Sequence, residues 1–170
     1  MTEPLVLPED VKRVVQTALS DEDLQALIDQ EDAEVVQRFG PHFDDTLDWS
    51  VTEVLAGESK RNLYFRRALV SVSSITEDEI ALTAATYRLW GAQGRIERLP
   101  QGSVWGNIVT VEYVPADDNE RRKAVIVDLV RIALQRTAMQ SESIAGEYSY
   151  TAPEWESARA NALKRLAFVM

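Results

Sequence analysis

Residues 120–140 read ERRKAVIVDLVRIALQRTAMQ, a helix pattern with too little polar surface for a monomer. At about 100° per residue, Asp128, Arg131 and Gln135 fall on one stripe roughly 60° wide. Val125, Ile126, Val127, Leu129, Val130, Ile132, Ala133, Leu134 and Ala138 fill about 240° of the remaining arc. Such a helix needs cover on several sides, and a neighbouring copy of the chain is expected to supply one of them, over Val125, Leu129, Val130, Ile132 and Leu134.

Working back toward the N-terminus, the pattern turns to β between Asp48 and Pro115. Trp49 and Val51 alternate with polar residues, Leu63–Ser73 is rich in branched and aromatic side chains, and Ile80–Trp90 alternates over a long stretch. Val104–Val114 places Trp105, Val109, Val111 and Tyr113 on one face. Ala56-Gly57-Glu58, Thr76-Glu77-Asp78 and Pro100-Gln101-Gly102 supply the turns, and four or five antiparallel strands are expected. Earlier still, Pro8 opens a helix carrying Val11, Val14, Val15, Ala18 and Leu19 at helical spacing. Ser20 caps a second helix, with Asp23 completing an [ST]-x-x-[DE] box. Leu24, Leu27, Ile28, Val35 and Phe39 form its stripe, and Gly40-Pro41 ends it. Glu31 falls inside that stripe, which is odd for a simple core face; an arginine from elsewhere would satisfy it, and nothing in the sequence identifies that partner.

Downstream of the long helix, Ser141–Pro153 is a polar joint. A last helix follows from about Glu154, with Trp155, Ala158, Ala162, Leu166 and Val169 along one side. Arg159, Lys164 and Arg165 make it basic toward its end, as the helix dipole favours. The class expected is α+β, mainly α: a helical bundle with a central antiparallel β insertion and a C-terminal helical arm. Residues 1–140 form the core, with helices 9–19, 21–39 and 117–140 and the insertion over 48–115; residues 141–170 form the joint and a docking helix.

Composition narrows the function. An apolar fraction of 45% in 170 residues is enough to bury a core. No run of about 18 apolar residues spans a bilayer, and Met1–Pro8 lacks the basic start and apolar stretch of a signal peptide, so no membrane partner is expected. Zero cysteines removes disulfides and thiolate metal sites and fits a reducing compartment. Residues 1–60 hold 15 acids and 4 bases, whereas 61–170 hold 13 acids and 14 bases. An acidic first third opposes a general nucleic-acid surface, which needs a basic stripe.

Catalytic equipment is sparse. His42 is the one histidine and reads as a loop residue after a helix stop; no second histidine or cysteine completes a triad or a transition-metal site. Asp44, Asp45 and Asp48 cluster nearby without the glycine and terminal glutamate of a calcium loop. Gly91-Ala92-Gln93-Gly94 lacks a GK[ST] ending and precedes a strand-like segment, so it reads as a turn. Arg66-Arg67 and Arg121-Arg122-Lys123 are short basic clusters, better suited to pairing with acids between subunits than to DNA phosphates. No catalytic residue, metal or cofactor is expected. A small hydrolase with a carboxylate site is the rival from a different class, and it requires acids of raised pKa gathered in one cleft.

Three passages resemble the head-tail connector, or adaptor, proteins of long-tailed bacteriophages. Ser20–Asp29 continuing to Val35-Val36-Gln37-Arg38-Phe39-Gly40 is similar to that family's acidic opening helix, ending at an aromatic and a glycine. Tyr87-Arg88-Leu89, through Leu99-Pro100-Gln101-Gly102-Ser103-Val104-Trp105 to Val109-Thr110-Val111-Glu112-Tyr113, resembles its strand, loop and returning strand. Ser141-Glu142-Ser143-Ile144-Ala145-Gly146-Glu147-Tyr148-Ser149 resembles the joint after its long helix. The resemblance implies a non-enzymatic virion protein, assembled in the host cytoplasm, that forms a ring (often twelvefold) beneath the portal and extends the DNA channel without specific DNA binding. It also implies portal docking by the last helix, through Trp155, Ala158, Ala162, Leu163, Leu166 and Val169, with a stopper or tail-terminator protein on the opposite face. A stopper or tail-completion protein is the alternative within the same class.

Overall fold

The computed structural model describes residues 4–45, 49–143 and 152–167. Among them the chain forms α1 (Pro8–Lys12), α2 (Asp21–Phe39), β1 (Val51–Ala56), β2 (Asn62–Tyr64), β3 (Leu69–Glu77), β4 (Ile80–Ala81), β5 (Tyr87–Trp90), β6 (Arg95–Arg98), β7 (Ile108–Pro115), α3 (Asn119–Ser143) and α4 (Ala152–Lys164). The class is mixed α+β, but the division differs from a core followed by a separate arm. One compact unit takes residues 1–42 and 118–167, and the other takes 43–117. Each has its own hydrophobic cluster. Helix α4 thus belongs to the same unit as α1, α2 and α3.

In the helical unit, Val11, Leu24, Ile28 and Val35 pack with Val125, Ile126, Leu129 and Val130 of α3 and with Ala162, Leu163 and Leu166 after and within α4. The wide apolar arc of α3 is therefore met by three other helices of its own chain. Ser20 caps α2 as its spacing predicts, its hydroxyl accepting from the Asp23 N–H at 3.1 Å. Helix α1 is shorter than the 9–19 expected. Only Val11 reaches the core, and Val14 stays 56% exposed. Two successive β-branched residues, Val14 and Val15, disfavour a further turn, and the Thr17 hydroxyl takes the Leu19 N–H locally at 3.2 Å. Arg122, fully buried, donates to the Gly40 carbonyl (2.7 Å), the Phe39 carbonyl (2.9 Å) and the Asp118 carboxylate (2.9 Å). One guanidinium thus satisfies orphan carbonyls at the end of α2 and anchors the start of α3.

The β unit holds two antiparallel sheets, ordered β1-β7-β3-β4 and β2-β6-β5. More strands form than the four or five expected, because two long runs break. Leu63–Ser73 is interrupted between β2 and β3, and Ile80–Trp90 by a 3-10 turn at Ala84–Thr86. Gly91–Gln93 is a second such turn, closed by Gly94 at φ 55°, and the strand-like segment after it is β6. Trp105 lies outside β7 yet shares its buried cluster with Val109, Val111 and Tyr113. Two tight turns place pairs of residues in the left-handed region: Glu58 and Ser59, and Asp78 and Glu79; the second joins the paired strands β3 and β4, where that geometry matches hairpin twist.

Candidate functional site

The residues assigned to portal docking lie on α4 and just beyond it. Ala162, Leu163 and Leu166 are buried among α2 and α3, and Trp155 and Ala158 are half-buried against the same cluster; Val169 lies outside the described residues. Of the five assigned to subunit contact, Val125, Leu129 and Val130 are fully covered, Ile132 nearly so, and Leu134 alone keeps partial exposure. The partner demanded by Glu31 is Arg159. Its guanidinium meets both Glu31 carboxylate oxygens, at 2.8 and 2.7 Å, and also pairs with Glu34. Glu31 is 2% exposed, so it is held as a bidentate pair. The hydrogen bond and charge of Glu31, helped by Glu34, raise the pKa of Arg159 further, against the opposing effect of burial.

The basic clusters are engaged internally. Lys123 pairs with Asp10 at 2.9 Å, Arg122 is buried as described, and Arg121 lies 3.9 Å from Asp118. Arg67 is also buried. Imidazole Nε2 of His42 sits 2.7 Å from Asp32, joining the loop to α2. Among the described residues no three potential metal ligands gather, and no helix is long and apolar enough to cross a membrane. The titrations that do shift are structural. Tyr113 is pushed up by burial and by Glu53, to which its hydroxyl donates at 3.0 Å. The Trp90 N–H, with Arg61, holds the Glu97 carboxyl below its ordinary range.

A more distinctive surface lies on the three-stranded sheet. Strand register puts Asn62, Tyr64, Arg88, Trp90, Arg95 and Glu97 on one face, opposite buried Leu63 and Ile96. Glu97 sits at its centre, accepting from Trp90 Nε1 at 3.0 Å and pairing with Arg61 at 2.5 Å. The guanidiniums of Arg88 and Arg95 lie 5.8 and 4.8 Å from the Trp90 ring centroid. Sequence reasoning missed this face because it looked for basic residues adjacent in the chain. Arg88 and Arg95 become neighbours only when β5 and β6 pair. The signal available was the period-two alternation Arg95-Ile96-Glu97-Arg98 straight after a glycine turn.

No family model matches the chain, and no curated protein does. Among solved structures it is similar to a chain in the neck of an empty GTA particle (a phage-like particle) computed with C6 symmetry, at a TM-score of 0.51 and 17% identity. The match covers 99% of this chain and 92% of that one. At that identity the likeness is one of fold.

Proposed function

We propose that this chain is a structural neck protein of a phage or phage-like particle, a head-to-tail adaptor that assembles as a ring beneath the portal. The observation that carries the reading is the near end-to-end likeness to a chain from a particle neck, spanning both units at once. The order of helix, strand–loop–strand and joint that resembles the connector family supports it independently. The part is mechanical: it extends the DNA channel and offers a platform to a stopper or tail-terminator protein. A net charge of −10 suits a wall past which DNA phosphates slide without adhering.

Portal docking by the last helix is part of this proposal, with a structural condition attached. Trp155 and Ala158 have some surface to offer as they stand. For Ala162, Leu163 and Leu166 to reach a portal, α4 must leave α2 and α3, which opens the Arg159–Glu31 pair. The test is co-expression with the portal protein of the same genome, followed by cryo-EM of the complex and of purified particles. A ring of this chain seated on the portal is the expected result. A ring found further down the neck would make it a stopper or tail-completion protein, and absence from particles together with no portal binding would end the reading.

A further inference from the structure

We infer that the arginine–tryptophan face of the three-stranded sheet is one half of a subunit–subunit contact, and that its occupant is the acidic outer face of α2 in a second copy of this chain. The inference rests on the ring reading above and names the surfaces that close the ring. Arg88 and Arg95 stack on Trp90; the charge of Arg88 acts on Glu97 across the strand pair, but Glu97 bonds Arg61 and Trp90, and neither Arg88 nor Arg95 has a carboxylate within ion-pair distance among the described residues. Of six buried side-chain atoms without a hydrogen-bond partner there, three belong to this one sheet edge and face: Arg61 Nε, Asn62 Oδ1 and Arg95 Nε. Those three atoms are already shielded from solvent, so a partner meets the rest of the face, where Arg88 is exposed and Trp90 and Arg95 are partly exposed. Stacked arginine and tryptophan, with Tyr64 half-exposed beside them, is also the composition of an interface anchor.

Charge decides what that partner carries. Two guanidiniums held on an aromatic plate call for carboxylates in a fixed geometry. The same chain presents them: Glu22, Ala26, Asp29 and Ala33 recur at helical spacing along the exposed side of α2. Alanines between the acids leave the ridge low enough for arginine side chains to lie across it. Duplex DNA is the poorer occupant, because useful affinity needs several phosphate contacts, whereas the other basic residues of this sheet, Arg61 and Arg98, pair with Glu97 and Glu77. A basic plate in one unit and an acidic ridge in the other make a head-to-tail contact, the kind that generates rings when the rotation closes.

Sedimentation velocity of the full chain over a concentration series, at low and at high salt, tests this. The parent should associate at low salt and dissociate at high salt. Arg88→Glu/Arg95→Glu and, separately, Glu22→Lys/Asp29→Lys should each weaken association more than about tenfold, with unchanged thermal unfolding. An equimolar mixture of the two variants should restore association, because each contact in an alternating ring is then again between opposite charges. A parent that stays monomeric at low salt, variants that associate like the parent, or a mixture that does not recover would each overturn the inference. So would duplex DNA binding by the parent that Arg88→Glu/Arg95→Glu abolishes. Failure here is separable from failure of the adaptor reading: variants that still build rings in particles refute only the contact, whereas a parent absent from particles refutes the function.

Discussion

Arg159 is the residue on which the placement of α4 depends most. Glu31 is buried, and without a guanidinium its carboxylate would face an apolar cluster with no water to solvate it. Because Arg159 itself keeps 28% side-chain exposure, part of its charge remains screened. Arg159→Met should therefore destabilise the helical unit by about 2–3 kcal/mol, below the full range for a buried pair. Adding Glu31→Leu to it should recover most of that loss, since the stranded charge is gone; a double variant no more stable than the single would show that the pair does not work this way. Asp10 makes a second, pH-readable contact. Its carboxylate accepts from Lys123 and from the Leu7 N–H at 3.1 Å, which holds its pKa below the ordinary 3.8. The stability this contributes is complete above 3.8 and is lost as pH falls through the lower folded value. Asp10→Asn should accordingly flatten the acid limb of a stability–pH curve while leaving its slope above neutrality untouched. An identical acid limb in the two proteins would refute the contact.

At the scale of elements, a few close approaches fix how the four-stranded sheet turns. Gly106 has no room for a Cβ, which would meet the Asp78 carboxylate. That carboxylate accepts from the Asn107 and Ile108 N–H groups at 3.1 and 2.9 Å, while Glu77 accepts the Gly106 N–H at 2.8 Å. Gly106→Ala must displace Asp78, at a cost of about 1–3 kcal/mol. Asp78→Ala removes the same bonds, so the two losses should fall well short of adding; additive values from denaturant unfolding would refute the shared mechanism. These elements also show what was readable from the chain. The limits of α2 were legible because a serine cap and a glycine stop are local chemistry. The first helix was overextended because its spacing is helical although only Val11 finds a core. The two long β runs were read as single strands because periodicity does not register a break such as the one between Tyr64 and Leu69 or the 3-10 turn at Ala84–Thr86. The sheet's arginine face was invisible for the same reason, being made by pairing across a turn. The need for a partner at Glu31 was legible, but its identity was not: the two residues are 128 apart in sequence.

For the whole molecule, the division into two units has a consequence that can be measured. Among the described residues the β unit is one uninterrupted segment with its own core, inserted between α2 and α3 of the helical unit. The helical unit is split in sequence, but Arg122 holds the two ends of the split together, by the carbonyls of Phe39 and Gly40 on one side and Asp118 on the other. A short Gly/Ser bridge in place of residues 43–117 can therefore close the gap at little entropic cost, because closure entropy rises only slowly with loop length. The shortened protein should be helical by circular dichroism and unfold cooperatively, with a heat of unfolding of about 0.7 kcal/mol per remaining residue near 60 °C. Arg122→Ala should then affect the shortened protein at least as strongly as the full chain, since it removes one donor from the Asp118 carboxylate and the guanidinium that two helix-end carbonyls accept from. A shortened protein that collapses without cooperative unfolding would mean that the β unit templates the helices, and an Arg122→Ala form that melts with its parent would mean that something other than this guanidinium closes the base.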